Sequence, residues 1–260
     1  MFDIISVGDD MKALITGASS GIGREMSKYL ASLGYELILV GRDKLKLEEL
    51  QNNLGVECKI IIADLQDETK AKEIYVMTKN DNIDLLINNA GFGLFGKFYE
   101  TDLNRELEMI NTNILAVHLL TKLYLRDMQK RDSGYILNVA SMAAFGPGPL
   151  MATYYATKAY VNNLTEAISE ELRRENSNVH ISSLCPGPVD TNFNNVAGVS
   201  FSVKPMTSKE VAHYAIDQMF KNKVVIIPGF KMRLTMFFRR FASRSLIRKI
   251  TYNIQKSKLK

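Results

Sequence analysis

The feature that most constrains the fold is a regular alternation of short apolar runs with longer amphipathic stretches, from Lys12 to about residue 228. The apolar runs are almost continuously hydrophobic, which is typical of parallel strands covered on both faces. They are Ala13–Thr16, Leu37–Val40, Lys59–Ile62, Leu85–Asn88, Tyr135–Val139, Ile181–Leu184 and Val224–Ile227. Helical patterns lie between them at Ile22–Leu33, Lys44–Asn53, Glu68–Lys79, Leu103–Arg131, Thr153–Glu175 and Ser208–Phe220. The alternation predicts a doubly wound α/β fold, in which helices flank a central parallel sheet of about seven strands in a single domain.

Composition narrows the class of protein further. The chain has 260 residues, of which 46% are hydrophobic, so it can bury one sizeable core and is not intrinsically disordered. Two cysteines cannot form a metal cluster or a disulfide framework, and His118 and His180 lack the neighbours of a metal site. Residues 1–11 form an N-terminal extension with acids where a secretory signal needs basic residues, so we expect a cytoplasmic protein.

A long uncharged stretch at residues 133–157 has a length that could span a bilayer. Its glycines, prolines and hydroxyl groups would leave backbone groups without partners in lipid. We therefore interpret it as a buried strand followed by a functional loop.

The basic residues are concentrated at the C-terminus. Residues 230–260 contain ten Lys or Arg and no acid, which leaves 23 basic against 28 acidic residues elsewhere, so the chain is not globally a nucleic-acid binder. Apolar side chains recur at helical spacing in this amphipathic tail, at Phe230, Leu234, Phe237, Phe238 and Phe241. Peripheral contact with a membrane, and a helix that closes the substrate mouth or a subunit interface, are equally weighted interpretations.

A glycine-rich turn follows the first predicted strand and leads into an amphipathic helix. Glycines let a backbone turn sharply and approach a phosphate closely, and a helix N-terminus offers free N–H groups to an anion. In this strand–turn–helix context the turn predicts a dinucleotide site. The residues expected to contact the dinucleotide are Gly17, Ser19, Ser20, Gly21, Ile22 and Gly23.

Further motifs follow in a characteristic order over residues 12 to about 228. After the GxxxGxG turn come Asn88-Asn89-Ala90-Gly91, then Ser141, then Tyr154 and Lys158 four residues apart, and finally Pro186-Gly187 with Thr191. In this order they resemble the short-chain dehydrogenase/reductase family, in particular its NADP-preferring bacterial-type members. The resemblance implies a Rossmann fold, hydride transfer between nicotinamide and a small carbonyl or alcohol substrate, and a homodimer or homotetramer formed through the long helices at 103–131 and 153–175.

Arg42 indicates which nicotinamide cofactor binds. It lies nineteen residues after Gly23, where an NAD enzyme places a carboxylate for the ribose hydroxyl. A guanidinium there would bind a 2′-phosphate, so we expect NADP(H). NAD(H) remains the alternative, because Asp43 follows directly and Ser20 stands where many NADP-preferring relatives carry a basic residue.

The resemblance assigns the remaining cofactor contacts. Asp64 and Leu65 would lie at the adenine, although an Asp after a strand is also a common turn carboxylate. Asn88 would tie central strands together. The other expected cofactor residues are Asn89, Ala90 and Gly91 at the adenosine ribose, Tyr154 and Lys158 at the nicotinamide ribose, and Pro186, Gly187, Val189 and Thr191 at the carboxamide.

Tyr154 and Lys158 share one helix face and are the expected acid–base pair. An ammonium about 4 Å away would lower the pKa of a phenol by about 3 at an effective dielectric near 20. Tyr155, three residues before Lys158, is a competitor, but the resemblance selects Tyr154 because Ser141 precedes it by about a dozen residues.

Ser141 is expected to stabilise the substrate oxygen, although a strand-end serine often caps backbone groups. Asn113 matches the family asparagine that holds a water near the lysine in a proton relay, and Asn111 is its competitor. The expected catalytic residues are Asn113, Ser141, Tyr154 and Lys158.

The favoured function is an NADPH-dependent reductase or dehydrogenase for an apolar carbonyl or alcohol. Residues 192–207 would form a substrate loop whose apolar members are Phe193, Val196, Val199 and Phe201. Two alternatives are an enzyme similar to a 3-oxoacyl-carrier-protein reductase, and a non-catalytic nucleotide-binding or membrane-associated scaffold. A serine hydrolase is excluded because no G-x-S-x-G elbow surrounds Ser141.

Overall fold

The computed structural model describes residues 11–191 and 205–257. Seven strands form one sheet, namely β1 Lys12–Thr16, β2 Glu36–Gly41, β3 Cys58–Ile62, β4 Leu85–Asn88, β5 Gly134–Val139, β6 Val179–Leu184 and β9 Val225–Ile226. Their order in the sheet is β3-β2-β1-β4-β5-β6-β9, and every neighbouring pair is parallel. Between β6 and β9, the short strands β7 (Val189–Asp190) and β8 (Met206–Thr207) pair separately. The predicted doubly wound α/β fold with about seven parallel strands is confirmed.

Helices cover both faces of the sheet. They are α1 Gly21–Ser32, α2 Lys44–Asn52, α3 Lys70–Thr78, α4 Leu103–Ile110, α5 Val117–Arg131, α6 Ala152–Arg174, α7 Ser208–Met219, α8 Phe230–Arg239 and α9 Arg244–Lys256. Successive residues of β1 point to opposite faces, so Ile15 packs with α1 and α7 while Leu14 packs with α3 and α5. Both side chains are fully buried, which contributes roughly 2 kcal/mol each to folding.

The order of the strands reverses at β1, which pairs with β2 on one side and β4 on the other. Ala13 is the residue of β1 opposite Leu37 and Leu85. At such a reversal the loops that follow the two central strands diverge and leave a crevice beyond their carboxyl ends. The glycine turn after β1 and the Asn88–Gly91 segment after β4 therefore meet there.

The predicted helix at Leu103–Arg131 is interrupted. A π-helical segment at Asn111–Ala116 separates α4 from α5. The wider turn accommodates an extra residue, a feature found often at functional sites. It carries Asn113.

The basic amphipathic tail consists of two helices, α8 and α9. Residues Arg240 to Ser243 separate α8 from α9, and the Ser243 hydroxyl caps α9 by accepting from the Leu246 N–H. No helix among the described residues is both long and apolar enough to cross a membrane.

Two sequence predictions fall largely outside the described residues. They are the extension at residues 1–11, of which only Met11 is described, and most of the substrate loop at 192–207, with Phe193, Val196, Val199 and Phe201. The end of that loop is ordered differently from the prediction, because Met206 and Thr207 form β8.

Candidate active site

The glycine turn has the backbone that only glycine adopts readily. Gly17 and Gly21 have φ values of +67° and +55°, in the left-handed region. A Cβ at Gly17 would lie 2.8 Å from the Asn89 Nδ2 and 2.9 Å from the Ala90 Cα, so no side chain fits between the turn and the end of β4. Ser20 begins α1 in an extended conformation without a side-chain capping bond. The first N–H groups of α1 are therefore presented at the crevice, as an anion site requires.

Asn89 fastens the turn to the next strand. Its Nδ2 donates to the carbonyls of Thr16 and Gly17 at 3.0 and 3.1 Å, and Thr16 Oγ1 accepts from the N–H groups of Asn89 and Ala90. The Asn89 side chain is thus engaged with the protein backbone and holds the shape of the turn.

Asn88, one residue earlier, lies inside the sheet. Its Nδ2 donates to Asn138 Oδ1 on β5 at 2.8 Å and to Thr121 Oγ1 on α5 at 3.0 Å. The Asn88 amide therefore ties β4 to its neighbours, which is the structural role that the resemblance implied.

Ser141, Tyr154 and Lys158 converge at the carboxyl end of β5. Ser141 follows this strand, and its Oγ accepts from the Ala143 N–H at 3.1 Å while also forming a hydrogen bond with the Tyr154 hydroxyl. Tyr154 lies in the first turn of α6 and is buried. Lys158 follows one turn later, with its Nζ 2.8 Å from the Val139 carbonyl and 6.0 Å from the centroid of the Tyr154 ring.

The electrostatics of this cluster differ from the sequence expectation. Burial raises the pKa of Tyr154 to about 12, and the hydrogen bond with Ser141 only partly opposes this effect. Burial also lowers the pKa of Lys158 to about 8. The expected lowering of the phenol pKa by Lys158 is not present here, because the cost of desolvating a phenolate exceeds the attraction of an ammonium held at the Val139 carbonyl. Tyr154 is consequently a protonated acid at neutral pH.

Asn113 joins the cluster from the π-helical segment. Its Oδ1 accepts from the Phe92 N–H at 3.1 Å, and its Nδ2 donates to the Phe92 carbonyl at 2.9 Å and to Thr157 Oγ1 at 3.1 Å. A Cβ at Gly91 would lie 2.8 Å from Asn113 Oδ1 and 3.3 Å from Lys158 Nζ, so Asn113 and Lys158 meet at the Gly91 backbone. Thr157 was not found from the sequence, because a helical threonine carries no distinctive signal.

Asn111 lies apart from this cluster. Its Nδ2 donates to the carbonyl of Gln66 at 3.0 Å, in the loop after β3. The structure therefore brings only one of the two competing asparagines, Asn113, to Lys158.

Arg42 stands directly after β2 with an exposed side chain. Its Nη1 lies 3.5 Å from Asp64 Oδ2, a loose pair at an exposed site. Asp43 has a different role, since it caps α2 by accepting from the Lys46 N–H at 3.1 Å and pairs with Lys46 Nζ at 2.8 Å. The Lys46 bonds lower the pKa of Asp43.

The two residues predicted at the adenine, Asp64 and Leu65, lie directly after β3 and differ in what their side chains contact. Asp64 Oδ1 accepts from the Gln66 N–H at 3.1 Å, so it is also a turn carboxylate. The side chain of Leu65 is buried in the core, and only its backbone can contact a cofactor. Ile22, the second residue of α1, likewise packs its side chain on the core.

Thr191 lies opposite the glycine turn. Its Cγ2 is 3.2 Å from the position of a Cβ at Gly21, which brings the segment after β6 to the N-terminus of α1. Within that segment Pro186 accepts from the Met142 N–H at 2.9 Å, and Val189 is buried. The turn, Gly91 and Thr191 thus surround one crevice whose glycines leave no room for side chains. Together with the exposed cation Arg42 at one end, these groups fit a dinucleotide.

The C-terminal tail forms part of the wall of this site, the position given to it by one of the two interpretations of its sequence, a helix at the substrate mouth. Arg239 on α8 donates to the Phe145 carbonyl, and Gln255 Nε2 on α9 donates to the Tyr155 hydroxyl at 2.6 Å. The two tyrosines therefore face different partners, and it is Tyr154 that contacts Ser141.

Comparison with known proteins agrees with this geometry. A short chain dehydrogenase family model matches residues 11–198. The very-long-chain 3-oxoacyl-CoA reductase of Anas platyrhynchos is 33% identical over 198 residues, 73% of this chain and 63% of that protein. A solved short-chain dehydrogenase from Sphingobium yanoikuyae in complex with NADPH is 28% identical, with a TM-score of 0.80 over 88% of this chain and 93% of that one.

A second solved structure, a short-chain dehydrogenase/reductase from Burkholderia phymatum in complex with NAD, is 25% identical. Its TM-score is 0.81, over 92% of this chain and 95% of that one. The two neighbours hold different nicotinamide cofactors, so the comparisons support a nicotinamide cofactor without choosing between NADPH and NADH. Because the family model covers well over half of the sequence, the chain belongs to the short-chain dehydrogenase family of oxidoreductases.

Proposed function

We propose that this protein is an NADPH-dependent reductase of apolar carbonyl compounds, with Tyr154 as the proton donor. The observation that carries the proposal is the buried hydrogen bond between the Tyr154 and Ser141 hydroxyls, one helical turn from Lys158 and beside the glycine turn. The reverse oxidation of an alcohol uses the same groups.

The chemistry requires that a hydride reach the carbonyl carbon and a proton reach the carbonyl oxygen. A reduced nicotinamide supplies the hydride when it is bound. Tyr154 supplies the proton, because its pKa of about 12 keeps the hydroxyl protonated at neutral pH. The Ser141 hydroxyl is placed to donate to the same oxygen as negative charge develops there.

Lys158 and Asn113 support this proton transfer. The Lys158 ammonium favours the tyrosinate that remains after Tyr154 has donated its proton. Asn113 forms hydrogen bonds with the Phe92 backbone and with Thr157, the residue directly before Lys158. These bonds hold the backbone of α6 at Lys158 in place.

The preference for NADPH is proposed from Arg42. This exposed guanidinium follows β2, where it would meet the 2′-phosphate. Asp43, the carboxylate that could serve NADH, is already engaged as the N-cap of α2.

The acid is tested by comparing Tyr154→Phe with Tyr155→Phe. We expect the first to lower kcat for NADPH oxidation about 1,000-fold across a panel of ketones and aldehydes, since general acid catalysis contributes roughly 100- to 10,000-fold. The second loses only the bond with Gln255 and should stay within about tenfold of the parent protein. A Tyr154→Phe protein that remains nearly active would refute the assignment.

The cofactor is tested by measuring kcat/KM for NADPH and for NADH. Arg42→Ala should lower the ratio of the two at least about tenfold, because one charge-assisted contact contributes about 1.5–3 kcal/mol. Lys44→Ala, which removes an exposed cation two residues away, is the matched control. An unchanged ratio would remove Arg42 from this role.

A 3-oxoacyl thioester is the second candidate substrate, supported by the name of the 33% identical relative. The carbonyl panel therefore includes a 3-oxoacyl thioester beside simple apolar ketones. Faster turnover of the thioester would select this candidate, whereas turnover of no carbonyl would favour the non-catalytic scaffold.

Assembly as a homodimer or homotetramer is also proposed. Leu125 on α5 and Ile168 and Leu172 on α6 line a surface groove of about 400 Å³. A second copy packed on these helices would fill it. Sedimentation velocity of the parent protein and of Leu125→Glu should show a shift towards monomer in the variant.

A further inference from the structure

The C-terminal segment, residues 230–257, presents one face to the protein body. Its less exposed positions are spaced by three or four residues along each helix, as expected for one side of a helix. They are Met232, Met236 and Arg239 on α8, and Ile247, Thr251 and Gln255 on α9.

This inner face rests on the wall of the candidate active site. Arg239 donates to the Phe145 carbonyl, and Gln255 donates to the Tyr155 hydroxyl. A Cβ at Gly187 would lie 2.8 Å from Met232 Sδ, so this methionine is packed directly on the loop after β6. The segment therefore contacts the protein body through the side chains of Met232, Arg239 and Gln255, and its opposite side faces solvent.

The outer face is rich in exposed apolar side chains. Phe230 is 70% exposed, Phe238 61% and Phe241 78%. The full set is Phe230, Leu234, Phe237, Phe238 and Phe241 on and just after α8, with Leu246, Ile250, Tyr252 and Ile254 on α9. The Phe237 ring contacts the rings of Phe238 and Phe241, so these three side chains form a continuous apolar surface. Exposed apolar surfaces mark interaction sites when they are large.

Cations accompany the apolar side chains. Arg233 is exposed but donates to the Tyr214 hydroxyl on α7. The six other exposed basic residues of the segment are Lys231, Arg240, Arg244, Arg248, Lys249 and Lys256. Within residues 11–191 and 205–257, no ion pair joins them to a carboxylate. The occupant of this face must therefore supply both apolar contact and negative charge.

A second copy of this chain would supply apolar contact but no negative charge. The segment contains no acid, so a two-fold contact through the outer face would place its cations against the same cations of the partner. Nucleic acid supplies charge but gives no apolar surface for leucine and isoleucine side chains. An anionic lipid surface supplies both.

We propose that the outer face of the C-terminal segment binds the surface of an anionic lipid bilayer. The phenylalanines enter the boundary between headgroups and acyl chains, and the cations pair with lipid phosphates. Because the inner face holds Phe145 and Tyr155, binding also brings the wall of the active site next to the lipid. If the proposed function holds, apolar carbonyl compounds dissolved in the bilayer become the accessible substrates.

The test is co-sedimentation of the full chain with vesicles, which reports lipid binding and not activity. Vesicles of phosphatidylglycerol and phosphatidylcholine are compared with phosphatidylcholine alone. The double variant Phe237→Ser/Phe238→Ser should weaken partitioning into anionic vesicles about 100-fold, since burial of each phenylalanine contributes roughly tenfold or more. Phe98→Ser/Tyr99→Ser removes two aromatic side chains elsewhere that are more exposed than Phe237 and Phe238, and is the matched control, expected to bind like the parent protein.

Charge is tested with Arg248→Gln/Lys249→Gln. Each cation near an anionic surface contributes about a fivefold change in binding, so the pair should weaken partitioning about 25-fold. Lys44→Gln/Lys130→Gln neutralises two exposed cations outside the segment and should have no such effect. Circular dichroism spectra should coincide for all variants, because the substituted side chains are exposed.

Four results would overturn the proposal. They are no sedimentation with anionic vesicles, equal binding to the uncharged vesicles, undiminished binding of the Phe237→Ser/Phe238→Ser protein, and retardation of a DNA duplex in the absence of vesicle binding. A change of oligomeric state in the serine variant without loss of vesicle binding would likewise assign the face to a second copy.

Discussion

Lys158 offers a direct test of how the site is held. It is 5% exposed, and burial lowers the pKa of its amine from an ordinary value near 10.5 to about 8. A charged amine in this position opposes folding, although the proposed function requires it beside Tyr154. Lys158→Met keeps a side chain of similar length and removes the charge, so the comparison isolates the cost of that ammonium.

The expected magnitude follows from linkage between protonation and folding. Between about pH 8 and about pH 10.5 the unfolded chain binds the lysine proton more readily than the folded chain does. The free energy of unfolding of the parent protein therefore rises with pH in this window. At about 1.4 kcal/mol per pKa unit, the cost at neutral pH is about 3 kcal/mol, and about 2 kcal/mol of it is relieved between about pH 7 and about pH 9.5.

The assay is urea unfolding of the parent and Lys158→Met proteins over this pH range. The loss of the bond from Lys158 to the Val139 carbonyl affects all pH values alike, so it does not enter the pH-dependent difference. We expect the parent protein to gain about 2 kcal/mol relative to the variant from about pH 7 to about pH 9.5. The exposed substitution Lys130→Met is the control and should show no trend. A parent–variant difference that stays constant with pH would refute the account of a desolvated lysine.

Three further substitutions test the framework of the site. Asn113→Ala removes three buried hydrogen bonds and should lower the free energy of unfolding by about 2–4 kcal/mol in urea titrations. An unchanged free energy of unfolding would show that these bonds do not stabilise the site. Gly23→Ala places a Cβ 2.4 Å from Asn89 Nδ2 and should raise the Kd for NADPH at least about tenfold by fluorescence titration, whereas unchanged binding would contradict the close packing of the turn. Thr207→Ala breaks the capping box with Glu210 at the start of α7 and should cost about 1 kcal/mol of stability with kcat/KM unchanged; a large loss of activity would show that this helix end serves the site.

The sheet could be predicted because its signals are local. Strands buried on both faces need continuous apolar runs, and the predicted Leu85–Asn88 coincides with β4. The glycine turn has the same character, since the backbone conformations at Gly17 and Gly21 depend on residue type at those positions. Such features are determined by a few consecutive residues.

The choice between neighbouring side chains could not be made from local spacing. Tyr154 and Tyr155 both lie at helical spacing from Lys158, and their difference lies in their partners. Ser141 follows a different strand, and Gln255 is separated from Tyr155 by 100 residues of sequence. The expected direction of the Tyr154 pKa shift failed for a related reason, because desolvation depends on everything packed around the phenol.

The C-terminal tail likewise combines properties that follow from local sequence with properties that depend on tertiary packing. Its sequence determined that one side of each helix is apolar and that every charge is positive. Only the tertiary structure decided that the helix is interrupted between α8 and α9. It also decided that the side chains of Arg239 and Gln255 point towards the candidate active site. Periodicity specifies which residues share a face, whereas the neighbour of that face is set by the packing of distant parts of the chain.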